Sequence, residues 1–395
     1  MYMKNIYNTI IIGAGASGLM CAKHLDNDNY KILERNSSAG RKLLLTGNGR
    51  CNLTNLISNM DFINDINYNS KFLYSCINNF GPYDIYDYFS EFLELNVEED
   101  HKVFPKSNKS KDILQVLLNN NIDYDTCVYS IKKDEKIFII ETNNQTYYCY
   151  NLVVATGGIS FGQTGSKGDH IKFARTFKHP IIKLYPAETS VILTNPLVKL
   201  AGTSFNNTKV FFNKMSYEGK LIITHTGLSA SVILKASEHI YLNNIKTINI
   251  DLLSNTTKDE LLKLILIDPN IKLTTALSKI FTKKFSEYLL ESSSIDNNIL
   301  VKHLNQRALI ELIDKIKYYE FNILRVSDIS NAFVTGGGID IKYLKPKSFE
   351  SKLVNNLYFI GECTDLHGPI GGYNLTLAFS SGYACAKGIN KINLS

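Results

Sequence analysis

No stretch of about 18 consecutive apolar residues occurs in the sequence, which argues against a transmembrane helix. No Cys-x-x-Cys pair occurs either, and the cysteine count of seven is odd. Both facts disfavour a disulfide framework and a zinc ribbon. They lead us to expect a reducing, cytoplasmic setting with mostly buried free thiols. The N-terminus, Met1-Tyr2-Met3-Lys4-Asn5, runs straight into an apolar strand without a small-residue cleavage site, so a secretory leader is not expected. Internal repeats and long low-complexity linkers are absent as well. Charge of one sign is not concentrated: 43 basic and 37 acidic residues leave +6 over 395 residues. The densest basic cluster, Lys102 to Lys111, is modest, so a nucleic-acid partner is disfavoured. What is there is an ordinary globular composition, 44% hydrophobic and 20% charged. It suffices for roughly two to three domains.

The first element is the β-branched run Thr9 to Ile12, which stops at Gly13. A helical pattern follows through Leu19, Ala22 and Leu25, then a strand over Tyr30 to Leu33 ending at Glu34. This β-α-β unit implies parallel strands. Further on, a helix is expected over Asp112 to Asn119, with strands over Lys136 to Ile140, Thr146 to Cys149 and Leu152 to Ala155. The middle changes style. Short strands are expected at Ser190 to Leu193, Lys209 to Phe212, Lys220 to Thr224 and Thr247 to Ile250, and helix from Lys258 to Lys317. The glycine-rich style returns after Ala332, with one more buried strand at Leu357 to Ile360 and a helix over Leu375 to Lys387. The expected fold is α/β. A Rossmann-like domain is built from both chain ends, 1–186 and 331–395, around an insert at 187–330 (β-rich 187–254, helical 255–330).

Gly13-Ala14-Gly15-Ala16-Ser17-Gly18 is a GxGxxG motif between a strand and a helix, and Glu34 closes the next strand. That context marks a dinucleotide site. Gly13 permits the tight turn, Gly15 lets a pyrophosphate approach the backbone, and Gly18 lets helix and strand pack closely. The helix N-terminus offers free N–H groups to phosphate, and Glu34 can accept from ribose hydroxyls. Two basic, glycine-containing segments follow: Arg35 to Lys42 and Thr46 to Asn55. So much polar loop after the ribose carboxylate suits a cofactor larger than NAD.

Four segments then carry a resemblance. They are the fingerprint with Glu34-Arg35; Gly40-Arg41-Lys42 through Thr46-Gly47-Asn48-Gly49-Arg50-Cys51-Asn52-Leu53-Thr54-Asn55; Ala155-Thr156-Gly157-Gly158; and a C-terminal pair. The pair is Val334-Thr335-Gly336-Gly337-Gly338 and Gly361-Glu362 through Gly368-Pro369-Ile370-Gly371-Gly372-Tyr373-Asn374. In these the sequence resembles the BaiN/YhiN-like flavoproteins, also called the aminoacetone oxidase family. The match is looser at Gly219 to Ser229. There Ala230-Ser231 stands where the family has Gly-Pro; earlier in the chain, Asp100-His101-Lys102-Val103-Phe104-Pro105 stands where it has Gly-Arg before Val-Phe-Pro.

The resemblance implies FAD, a β-barrel-like plus helical insert, and redox chemistry without one shared substrate. It assigns expected cofactor contacts to Gly13, Gly15, Ala16, Ser17, Gly18, Glu34, Arg35, Arg41, Lys42, Thr46, Asn48, Gly49, Arg50, Cys51, Asn52, Val128, Ala155, Thr156, Gly157, Gly361, Glu362, Asp365, Gly371, Gly372, Tyr373 and Asn374. Arg50 could face a negative charge on reduced flavin. Cys51 invites a redox reading, against which stands the frequency of inert buried thiols. The helix after Tyr373 would aim its N-terminus at the reduced ring. Candidate acid–base residues are His225, His367 and Tyr373. Metal ligands are not expected. The leading function is FAD-dependent hydride exchange with a small organic substrate, with NAD(P)H as an optional transient donor. Alternatives are an RNA-modifying flavoenzyme and a flavin-binding protein without turnover. A second GxGxxG in strand–helix context is absent, so no separate NAD(P) domain is expected.

Overall fold

The computed structural model describes residues 5–66 and 68–392. The chain forms two compact units, one from 1–185 with 329–395 and one from 186–328. Each has its own apolar core. Among the described residues no helix is long and apolar enough to cross a membrane.

The first unit is a Rossmann-type sheet. Ile6–Ile12 lies between Tyr30–Leu33 and Thr146–Val154, parallel to both. Ile122–Asp123 extends one edge in parallel, and Leu357–Phe359 pairs in parallel with Thr146–Val154. An antiparallel ribbon of Val128–Asp134 and Ile137–Thr142 completes the sheet. Ile10 and Ile11 are fully buried, as a strand covered on both faces requires.

Two strands expected near Thr146 and Leu152 are one. Its first half pairs with Ile137–Thr142 and its second half with Leu357–Phe359. The polar residue between them, Asn151, is buried, and its side-chain amide donates to the Asn8 carbonyl at 3.1 Å. The alternation therefore runs on through a position that reads as a break. Helices Asn59–Asn64, Ser70–Asn79 and Pro82–Ser90 carry no counterpart in the expectations. The C-terminal helix, Tyr373–Ile392, packs against the first helix, Ala16–Lys23, where a Cβ on Gly382 would lie 2.4 Å from the Ser17 carbonyl.

The second unit is a closed six-stranded barrel with helices. Its strands follow the order Val191–Leu193, Gly227–Ser229, Met215–Ile223, Ser204–Phe212, Thr247–Asp251 and Tyr319–Val326. The last of these corrects the expectation of helix to 330. Tyr319, Phe321 and Ile323 are buried while Glu320, Asn322 and Leu324 point out, which is the period of a strand. The helix Ser231–Leu242 likewise sits inside the stretch expected to be β-rich. The residue before it, Ala230, has φ +77, a backbone region that glycine tolerates and alanine resists. The expected helical stretch resolves into Lys258–Leu266, Leu273–Leu277, Lys283–Glu291 and Gln306–Lys317.

Candidate functional site

The fingerprint forms the turn between the first strand and first helix. Gly13 has φ +107, and a Cβ there would stand 2.5 Å from the Ala155 carbonyl oxygen. Gly18 is tighter: its Cβ would be 2.1 Å from the Gly13 oxygen. Gly15 differs, with φ −86 and open space where a Cβ would point. It caps Ala16–Lys23 without a side-chain hydrogen bond, so the first-turn N–H groups remain available. Ser17 is buried against Gly361. Glu34 is buried at the end of the second strand. It accepts from the Ala14 N–H at 2.8 Å and from Asn36 through its backbone N–H at 2.9 Å and its side-chain amide at 2.7 Å. These bonds fix the carboxylate at the strand's carboxyl end, where open α/β sheets bind ligands.

The two most specific motifs meet although more than 300 residues separate them. With its amide turned so that nitrogen faces an acceptor and oxygen a donor, Asn52 donates to the Thr54 carbonyl at 3.1 Å and accepts from the Gly372 N–H at 3.2 Å. Asn55 donates to the Gly371 carbonyl at 3.3 Å, and the Thr54 and Thr376 hydroxyls are 2.7 Å apart. Gly371 and Gly372 both have positive φ, and a Cβ on Gly372 would strike the Thr54 backbone at 2.4 Å. Asn374 holds the preceding turn, accepting from the Gly368 N–H at 3.0 Å and donating to its carbonyl at 2.7 Å.

Lys42 reaches Glu362, with Nζ 2.6 Å from Oε2, and also donates to Ser160 Oγ at 2.7 Å. Glu362 further accepts from the Ser160 hydroxyl and the Thr335 N–H, both at 3.0 Å. Burial works to raise the Glu362 carboxyl, but Lys42 and these hydrogen bonds outweigh it and hold it below the usual carboxylate range. Ser160 and Thr335 were missed by sequence reasoning. Their signal is adjacency to Gly157-Gly158 and Gly336-Gly337-Gly338.

Other expected contacts are already engaged. Arg50 pairs with Glu98 at 2.8 and 3.2 Å and lies 3.9 Å over the Phe104 ring. Its charge is thus neutralised within the protein. Arg35 pairs with Asp169 at 3.0 Å and donates to the Gly165 carbonyl at 3.3 Å. Arg41 is exposed and donates to Asn36 at 3.0 Å. Thr46 donates to the Leu43 carbonyl at 2.6 Å, and Asn48 and Gly49 both have positive φ in the loop that follows. Cys51 is fully buried, and burial pushes its thiol up to about 12, so it stays protonated. Val128 begins the antiparallel ribbon and is buried.

Of the acid–base candidates, His225 is exposed in the second unit. Tyr373 stacks on Phe62 with centroids 4.8 Å apart and donates its hydroxyl to Asp65. Burial, helped by Asp65, pushes that phenol up. His367 is buried in the first unit, edge-on to Tyr185 at 6.1 Å. Asp365, two residues earlier, accepts from Asn69 at 2.9 Å through one oxygen. Its other oxygen is buried without a hydrogen-bond partner, and burial raises the carboxyl above its ordinary value. The Thr156 hydroxyl, just past the Thr146–Val154 strand and next to Gly157, is another buried polar atom without a partner. Buried polar atoms normally find one. A polar ligand along the carboxyl ends of the strands would satisfy them, and open space at Gly15 admits its phosphates. The residues present therefore fit FAD. Among the described residues no cluster of His, Cys, Asp or Glu could hold a metal ion.

The fold and this cradle define an FAD-dependent oxidoreductase of the Rossmann type. More narrowly, the chain belongs to the HI0933-like family, whose Rossmann-domain model matches residues 7–388. It is 30% identical to the ribosomal RNA dihydrouridine synthase of Haemophilus influenzae, covering 98% of this chain and 100% of that one. It is 28% identical to the 3-dehydro-bile acid delta(4,6)-reductase of Clostridium scindens, covering 95% and 97%. Among solved structures, 3-ketosteroid delta1-dehydrogenase from Sterolibacterium denitrificans superposes with a TM-score of 0.53 at 12% identity, covering 98% of this chain and 100% of that one. That last likeness concerns the fold alone.

Proposed function

We propose that this protein, with FAD held in the cradle just described, reduces a carbon–carbon double bond conjugated to a carbonyl in a flat ring, and that the ring is a uracil of ribosomal RNA. The observation that carries this reading is the dinucleotide cradle in a chain that aligns end to end with a relative named for that reaction. The net charge of +6, too mild to argue for RNA alone, is compatible with a polyanionic substrate. When bound, FAD would supply the hydride chemistry for one alkene carbon. The Ala16–Lys23 helix N-terminus, Glu34 and the Lys42–Glu362 network would hold the cofactor. The other alkene carbon needs a proton. His367 is the candidate donor we favour, because Tyr373 is committed to Asp65 and His225 is exposed in the other unit. NAD(P)H is the proposed source of the two electrons.

A second reading, reduction of a small enone, is favoured by the relationship to the bile acid reductase. One experiment separates them. Ribosomal RNA from cells lacking this gene is incubated anaerobically with the FAD-loaded protein and NADPH or NADH, then digested and examined by mass spectrometry. New dihydrouridine is expected. No dihydrouridine, with a steroid enone consumed under the same conditions, would replace the RNA reading by the second one.

A further inference from the structure

Phe333 is a large apolar side chain left 50% exposed in the first unit. Its ring lies 5.8 Å from that of Phe161, the planes inclined by 52°. Phe161 itself sits at φ 53, ψ 48, a left-handed conformation that costs a bulky residue strain. Strained backbone persists where surrounding contacts over-determine it, and here they do. Ser160, next to Phe161, and Thr335, two residues past Phe333, both bind Glu362. The Thr335 hydroxyl also accepts from the Ile159 and Ser160 N–H groups at 2.9 and 3.0 Å. Lys42 Nζ, 5.9 Å from the Phe161 ring centre, ties the same ring to the network. Two loops from distant parts of the chain are thus clamped to one carboxylate so that each presents a phenyl ring. That carboxylate follows Leu357–Phe359, at the carboxyl edge of the parallel sheet, the edge at which such sheets bind their ligands.

We propose that Phe333 is the stacking face, with Phe161 as the tilted wall beside it, for the flat ring of the substrate, a uracil base turned out of its RNA strand. The inference rests on the proposed function and names how that substrate is gripped. Exposed aromatic faces recognise single-stranded bases by stacking, and a base must leave its stack before chemistry can reach it. A ring is what stacking requires.

The test uses the FAD-loaded full chain and an oligouridylate probe, with binding followed by anisotropy and the flavin spectrum recorded as a control. Phe333→Ala should weaken binding roughly tenfold, the scale of one lost base stack. Phe333→Trp should restore it and Phe333→Leu should not, while the flavin spectrum and melting temperature stay unchanged. Equal affinities for wild type and Phe333→Ala would overturn the stacking face, whatever the ribosomal RNA assay shows. Absence of oligouridylate binding in the wild type, with Phe333-dependent binding of a steroid enone, would overturn the uracil occupant and the RNA reading together.

Discussion

The two units of this chain use glycine in opposite ways, and they place their buried polar groups differently. Of the fourteen described glycines with positive φ, twelve lie in the Rossmann unit and only Gly202 and Gly219 in the barrel unit. In the Rossmann unit several stand where backbones nearly touch, as at Gly13, Gly338 and Gly372. The barrel unit closes its hydrogen bonding by joining the sheet to itself and fills the inside with apolar side chains. Its most buried ion pair, Lys317 with Asp251 at 2.5 Å, is saturated by the Leu253 and Thr256 carbonyls. The Rossmann unit leaves Thr156 Oγ1 and one Asp365 oxygen buried and unmatched beside the strand ends. Unmatched buried polar atoms occur in the barrel unit too, Thr189 Oγ1 and Asn249 Oδ1 among them; what suits Thr156 and Asp365 to a ligand is their place just past the carboxyl ends of parallel strands.

Paired substitutions sharpen this contrast. The largest effect is expected at Gly18→Ala, where the new Cβ would overlap the Gly13 carbonyl oxygen at 2.1 Å. We expect a loss of several kcal/mol, read as little folded protein by denaturant melting. Its counterpart, Gly202→Ala, has φ +90 but open space, and should cost only about 1–2 kcal/mol. Comparable losses at both sites would break the comparison.

Next come the two lysines. Lys317→Met strands Asp251, whose side chain is 11% exposed, and should cost about 3–5 kcal/mol without changing FAD affinity. Lys42→Met strands the more open Glu362, 20% exposed, and should cost less, about 2–4 kcal/mol. It should also weaken FAD binding, measured by flavin fluorescence titration of the apoprotein. Unchanged FAD affinity in Lys42→Met would detach the network from the cofactor.

At neutral pH the smallest effect is one that appears only as the pH is lowered. His170 and His179, both buried in the Rossmann unit, are lowered by burial from 6.5 to about 4. The unfolded chain therefore binds protons that the native chain refuses. The stability of the neutral histidines is complete above pH 6.5 and is lost as pH falls toward 4. The melting temperature should drop across that window, and His170→Phe should flatten the drop. A wild-type melting temperature constant over the window would contradict this.

Much of the Rossmann unit was legible because its signals are local. The Thr9 to Ile12 run, the glycines after it and Glu34 lie within about thirty residues, and each residue type has one steric or electrostatic reason to be there. The strand at Leu357 and the helix after Tyr373 were legible for the same reason. Tyr319–Val326 was not. Helical spacing runs to Lys317, and only closure of the barrel with Thr247–Asp251 and Val191–Leu193 turns the next residues into a strand. The partners of the expected site residues were not legible either. That Arg50 is held by Glu98, or that Ser160 and Thr335 share Glu362 with Lys42, depends on contacts between residues 27 to 320 apart.

Gly15→Ala tests the central claim most directly. The position has φ −86 and room for a Cβ, so the protein itself should tolerate alanine, with an apoprotein melting temperature close to that of the wild type. If the open space is where the cofactor's pyrophosphate approaches the backbone, the FAD dissociation constant of the variant should rise at least about tenfold. An alanine variant that is equally stable and binds FAD as tightly as the wild type would contradict the account.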